Sequence, residues 1–284
     1  MIWIGNFPLR ETTGFMQTKV IGIDCATQDT KIGVAYGDFS DGQLAVVEAF
    51  ACTKGESAAE AISNWLRDRR EPVLLAIDAP LGWPQSLARA LTNHRAGGEL
   101  KVDADDMFRR ATDHFVKRKT RKAPLEVGAD RIARTAHVAL CLLRDLRQEL
   151  KTEIPLAWEW PLVSKVSAIE VYPAATLVAH ALRSTGYKRL RQEVRRNEII
   201  RKLGDIAYIP FDISRKLLAS GDALDATICL LAAKDFLSGD AMPPPDQARA
   251  KTEGWIWVRE TGRGSRKGKK EPTQSRNLSQ RAAD

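Results

Sequence analysis

Short apolar blocks separated by polar turns open the chain. Residues 18–25 read as a strand with an apolar centre, and 31–37 (KIGVAYG) and 43–51 (QLAVVEAFA) follow across the turn-forming stretches 27–30 and 38–42. Blocks of this length bounded by Asp, Ser, Thr and Gly read as strands, and connections this short predict an antiparallel three-stranded meander. The period then changes. Ser57 is a good N-cap, and Ala58, Ala61, Ile62, Trp65 and Leu66 share one helical face to about residue 70. Pro72 and the run VLLAID (73–78) predict a fourth strand. A strand, helix, strand step of that length implies a parallel neighbour.

Helical spacing over roughly 86–95, 103–118 and 129–151 interrupts the strand pattern and predicts a helical insertion at about 80–165. KVSAIEVYP (165–173) supplies a fifth strand, and 174–183 and 188–203 read as helices. A helix over about 222–236 and a short strand, GWIWV (254–258), joined through Pro243, Pro244 and Pro245, complete the core. No internal repeat interrupts this order. The expected class is α/β, a mixed five-stranded sheet flanked by helices, forming one domain over 18–260 behind an N-terminal extension, 1–17. With Asp closing both the first and fourth strands, the order resembles the opening of the ribonuclease H-like fold. In that topology these strands are neighbours, so Asp24 and Asp78 would face each other.

Composition changes the picture little. With 284 residues, 44% apolar and 28% charged, the chain can bury an ordinary soluble core. The 44 Lys and Arg exceed the 36 Asp and Glu by eight, but seven basic residues against two acids in 262–284 account for five of those charges. That tail (261–284), rich in Gly, Ser and Gln, is expected to be disordered. Cys25, Cys52, Cys141 and Cys229 show no CxxC or CxxH spacing, which argues for reduced thiols and against a zinc site. No apolar run approaches the roughly 20 residues that span a bilayer, and a cytoplasmic protein is expected.

The candidate chemistry lies in the acids. Asp24 closes VIGID, Asp78 closes LLAID, Glu170 sits in AIEVYP, and Asp222 and Asp225 share one face of GDALDATICLLAA. Carboxylates where apolar elements end lose solvent unless a cation faces them, so their convergence predicts a divalent-metal site for Mg²⁺ or Mn²⁺, which take hard oxygen ligands. Such a site suits phosphoryl transfer, in which paired metals activate water and stabilise the leaving oxygen. Each acid has a plainer alternative: helix capping for Asp222 and Asp225, turn initiation for Asp24 and Asp78, a solvent-facing strand position for Glu170.

Together VIGIDCA, AIDAPLGWP, FRRATD, AIEVYPAAT, GDALDA and EGWIWV resemble the domain-of-unknown-function family 429, described as predicted nucleases of ribonuclease H-like fold. The first-strand Asp and the terminal D-x-x-D helix are more distantly similar to those of Holliday-junction resolvases. The resemblance implies metal ligands among Asp24, Asp78 or Glu170, and Asp222 or Asp225. Arg110 and Asp113 lie three apart on one helical face, where a local ion pair is the plainer reading; the resemblance draws them toward the site, as a substrate-binding residue and a weaker catalytic candidate. His114 beside them is a candidate for proton transfer.

The run KRKTRK places Lys117, Arg118, Lys119, Arg121 and Lys122 beside those motifs, where they could hold a phosphate backbone or form a solvated face. KRLRQEVRR (188–196) is a second basic stretch and reads as a positive helix face. Neither carries the interleaved aromatics of base stacking. The alternating pairs Trp158/Trp160 and Trp255/Trp257 read as packing residues. The leading expectation is a metal-dependent nuclease acting on DNA or RNA by metal-activated water. Two alternatives stand beside it: a catalytically silent nucleic-acid-binding or assembly protein of the same fold, and an ATP-using enzyme of the actin and sugar-kinase type. The turn Cys25-Ala26-Thr27-Gln28 lacks the glycine the last would need to cradle phosphate.

Overall fold

The computed structural model describes residues 17–261, apart from Arg69, Ala129 and Leu190. The expected extension and basic tail therefore fall, but for Gln17 and Thr261, outside the described residues. The first three strands, β1 (Thr18–Asp24), β2 (Gly33–Ser40) and β3 (Gln43–Ala51), form the expected meander. Its second turn tightens to Asp41 and Gly42, whose φ values of 52° and 74° suit the right-handed twist of a two-residue hairpin. Ser57 caps helix α1 (Ala58–Leu66) by accepting from the Glu60 backbone N–H, and α1 leads into β4 (Val73–Asp78).

β4 lies parallel to β1, and β5 (Val166–Glu170) lies parallel to β4. The sheet order β3-β2-β1-β4-β5 is mixed and open, and it fits the ribonuclease H-like expectation. The register pairs Asp24 directly with Asp78, so two neighbouring strands end together in carboxylates.

Side chains alternate between the two faces of the sheet. Val20, Leu74, Ala76 and Ile169 point into one core, whereas Ile21, Ile23, Leu75, Ile77 and Ala168 point into the other. The first core is closed by α6 (Pro173–Ala179), α7 (Glu193–Leu203), α8 (Phe211–Ala219) and α9 (Gly221–Leu237). α9 is buried almost all round and crosses β1, β2, β3 and β4. Its close seat depends on Gly22 and Gly33, which face its backbone without a Cβ.

The second core is closed by α1 together with α5 (Asp130–Leu150), through Ala139, Leu142, Leu143 and Leu146. α5 lies in the stretch read as an insertion, yet it forms half of a structural layer. The remaining helices of that stretch are α2 (Gln85–Leu91), α3 (Ala104–Phe108) and α4 (Ala111–Thr120). The single helix expected over 103–118 is thus broken at Arg109 and Arg110, both extended, because the Asp113 carboxylate accepts from the Arg110 backbone N–H and starts a new helix there.

Three further expectations are corrected. The helix read over 188–203 begins only at Glu193. Helices α8 and α10 (Gln247–Glu253) were not anticipated. GWIWV makes an isolated bridge from Ile256 to Glu170 and no regular strand, because Ile256 N–H donates to the Thr112 hydroxyl at 2.8 Å while Trp257 N–H donates to the Glu170 carbonyl. Trp255 and Trp257 are buried core residues, against Phe115 and Phe236 respectively, and Trp158 and Trp160 pack at the core margin. Among the described residues no helix is long and apolar enough to cross a membrane.

Candidate metal centre

Asp24, at the end of β1, has the same parity as Val20 and therefore points toward α9; Asp78, at the end of β4, has the parity of Leu74 and Ala76 and does the same. Asp225, in the second turn of α9, meets them. One carboxylate oxygen from each of the three lies within 4.8 Å of the others. Asp24 and Asp225 are buried and Asp78 is half-buried.

Three negative charges packed this closely cannot stand alone. The ammonium of Lys188 lies 3.2 Å from Asp24 Oδ2 and in direct contact with Asp225 Oδ2. The Tyr187 hydroxyl donates to Asp225 Oδ1 at 2.6 Å, which fixes that carboxylate's orientation. Burial, followed by the Asp225 charge, holds Asp24 well above the usual carboxylate range, and Lys188 pulls it part of the way back. Burial raises Asp78 to about 7, with Lys188 opposing. Asp225 is also raised by burial, against Lys188 and the Tyr187 hydroxyl. Burial disfavours the Lys188 ammonium, but Asp225, Asp24 and Asp78 outweigh it and raise its pKa above the ordinary lysine value. The donor set is entirely carboxylate oxygen and could hold a divalent ion.

The other candidates are placed differently. Asp222 lies one turn earlier in α9, behind the Ser220 N-cap, and does not join the cluster. Glu170 has the opposite strand parity from Ile169, so it leaves the face shared by Asp24 and Asp78. It receives Arg110 instead, through Nη1 to Oε2 at 2.9 Å and Nη2 to Oε1 at 2.7 Å, and it accepts from the Leu81 N–H. Burial raises the Glu170 pKa, with Arg110 opposing.

Arg110 is 1% exposed. Its Nε and Nη2 also reach Asp113, and Nη1 reaches the Glu253 carbonyl. All five N–H donors of the guanidinium are thus directed at protein acceptors, and none remains for a substrate. Arg110 and Asp113 do form the local ion pair that was the plainer reading, but across a helix start, as cap and clamp, and not along one helical face. Thr112, the third residue of that motif, holds Ile256. The R-x-T-D motif therefore fastens α4 to β5 and to the chain around Glu253. His114 lies 3.6 Å from Asp105 and lines a separate cleft with Arg118.

A cleft of about 270 Å³ opens over the cluster, with Asp24, Asp78 and Lys188 on its floor and Pro80, Pro124, Leu125, Ile132 and Tyr172 along its walls. The helical stretch thus forms one side of the cleft. Lys117, Arg118, Lys119 and Arg121, at the end of α4, are exposed, and Lys122 is half-buried. Among the described residues none of the five makes an ion pair; Lys119 lies over the Phe115 ring. Cys25, Cys52, Cys141 and Cys229 are all unpaired thiols, and burial pushes the Cys25 thiol well above its ordinary value.

Sequence reasoning missed Lys188 and Tyr187. Lys188 read as part of a positive helix face, but it lies ahead of α7 in an irregular segment. The need for a cation beside three acids was legible; which lysine supplies it was not. No curated protein and no solved structure matches the chain. The family model described as "Protein of unknown function (DUF429)" matches residues 22–249, a span that takes in Asp24, Asp78, Asp225 and Lys188, with Arg110, Asp113 and Glu170 of the clamp, and the chain belongs to that family.

Proposed function

We propose that this protein is a divalent-metal-dependent nuclease that hydrolyses phosphodiester bonds in nucleic acid. The convergence of Asp24, Asp78 and Asp225 at the carboxyl ends of two adjacent parallel strands, beneath an open cleft, carries the reading. The three carboxylates would hold Mg²⁺ or Mn²⁺, hard ions that keep part of their water shell. A bound ion supplies Lewis acidity at a phosphoryl oxygen and activation of water.

The chain's own residues do the rest. Asp225 is oriented by Tyr187 and Asp24 by the ammonium of Lys188, so both carboxylates are preset before substrate arrives. Lys188, half-exposed at the cleft floor, presents positive charge to an entering phosphate. Pro80, Pro124, Leu125 and Ile132 limit water at that floor, which strengthens the electrostatics within it. Lys117, Arg118, Lys119, Arg121 and Lys122 would hold the flanking backbone without reading sequence.

The test is a labelled panel of single-stranded, duplex, hybrid and branched nucleic acids incubated with Mg²⁺ or Mn²⁺. Cleavage by the wild type, lost in Asp24→Asn and Asp225→Asn while both remain folded, is the expected result. Silence of the folded wild type across the panel with both ions, or equal cleavage by the variants, overturns the reading.

A further inference from the structure

Lys188 is too well supported to be an incidental surface lysine. The carbonyls on either side of it, those of Tyr187 and Arg189, accept from Arg196 Nη1 at 2.9 and 3.2 Å. Arg196 is itself buried, and its Nε donates to the Leu218 carbonyl at 2.6 Å, tying the segment to the end of α8. Tyr187 is buried and bonds Asp225 through its hydroxyl. On the far side Gly221 lies against the Lys188 backbone, where an ideal Cβ would stand 3.2 Å from the Lys188 Cα. Three helices and a hydrogen-bonded tyrosine therefore hold one backbone position, and from it the ammonium reaches the Asp24 and Asp225 carboxylates.

Charge and donor number decide what that ammonium replaces. A two-ion phosphoryl-transfer site sets its ions roughly 3.5 to 4 Å apart and shares carboxylates between them. Here only Asp24, Asp78 and Asp225 converge among the described residues, since Glu170 is held by Arg110 and Asp222 lies outside. Three carboxylates and one ammonium leave two negative charges, which one divalent ion neutralises. A second divalent ion beside the ammonium would leave the buried cluster with two positive charges, an arrangement burial penalises.

We propose that Lys188 occupies the position of a second cation, so that the site takes one divalent ion and the lysine ammonium in place of a metal pair. This rests on the metal reading of the cluster and deepens it. The ammonium bridges Asp24 and Asp225, whose oxygens already accept from Lys188 or Tyr187, and the divalent ion would be held by Asp78 together with the remaining lone pairs of those two carboxylates. The protein then differs from a two-ion nuclease in a way that binding alone reveals.

The test is Mn²⁺ stoichiometry by equilibrium dialysis, with free Mn²⁺ read by its paramagnetic resonance, on the full chain at neutral pH. One Mn²⁺ per wild-type chain, two per Lys188→Met chain and one per Lys188→Arg chain is the expected result; Arg retains the charge. Lys188 is half-exposed, so Lys188→Met is expected to fold, and circular dichroism checks this. Equal stoichiometry in wild type and Lys188→Met, whether one or two, overturns the proposal and leaves the metal site standing. Absence of Mn²⁺ binding by all three folded proteins overturns the metal reading itself, and the proposal with it.

Discussion

An ideal Cβ on Gly22 would stand 1.9 Å from the carbonyl oxygen of Ala226, closer than any carbon can approach without displacing the helix. β1 and α9 thus meet backbone to backbone one residue from Asp225, and this seat brings the third carboxylate to the strand ends. Gly22→Ala must push α9 away from the sheet. The expected cost is about 3 kcal/mol, the upper end of ordinary overpacking, in urea denaturation, together with weakened Mn²⁺ binding; a variant of unchanged stability would show that the helix is free to shift.

The acidic cluster makes stability fall as pH rises. Asp78 titrates at about 7 in the folded chain and near 3.9 when unfolded, so between these values the native state binds more protons than the unfolded one, and rising pH favours unfolding. Without divalent ions the protein is expected to be more stable near pH 5 than near pH 8, by a few kcal/mol for this group. Asp78→Asn should flatten that dependence, and Mn²⁺ should restore stability at pH 8. Urea midpoints across the pH range check this, and a wild-type profile matching that of Asp78→Asn would rule it out.

The clamp around Arg110 predicts a structural phenotype. Removing the guanidinium leaves Glu170 and Asp113 buried side by side without a cation, so Arg110→Met is expected to cost about 3–5 kcal/mol. Arg110→Lys cannot reproduce the forked contacts and should recover only part of that loss. Chemical denaturation measures both. Full stability in either variant would return Arg110 to the substrate-binding role suggested by sequence.

If the cations at the end of α4 grip phosphates, replacing Lys117, Arg118, Lys119, Arg121 and Lys122 by Gln should weaken binding to all sequences alike. The slope of log affinity against log salt should fall by about 0.9 for each lost duplex contact. Fluorescence anisotropy at several salt concentrations reads it, and an unchanged slope would identify the run as a solvated face.

Much of this was legible in the chain. Strand blocks and short turns announced the meander, and Asp24 and Asp78 appeared at strand ends where the register pairs them. Glu170 was misjudged although strand parity was available: Ile169 and Val171 face α9, so the residue between them faces away. Asp222 shared a helical face with Asp225 on paper, but a helix seated against a sheet presents only a narrow strip to the strand ends. The break before α4 had a local signal, Asp113 three residues after Arg110, whose carboxylate caps the new helix, but that spacing also suits a shared helical face. The Arg110 partner Glu170, 60 positions away, had none. Lys188 was hidden because its placement comes from tertiary contacts, the buried Arg196 and Gly221, the latter 33 positions further on, which no local pattern announces.

The separations bridged by Arg110 bear on how the molecule comes into being. Its guanidinium reaches Glu170 and the Glu253 carbonyl, 60 and 143 positions further on. Contacts across such spans form late, because long loops must close first. During synthesis the strands carrying Asp24 and Asp78 emerge well before Lys188, Asp225 or Glu253. A half-made chain on the ribosome therefore bears two of the three carboxylates, with neither the ammonium nor the latch that fixes the cleft wall. The proposed metal centre is incomplete in the nascent chain until α9 has docked.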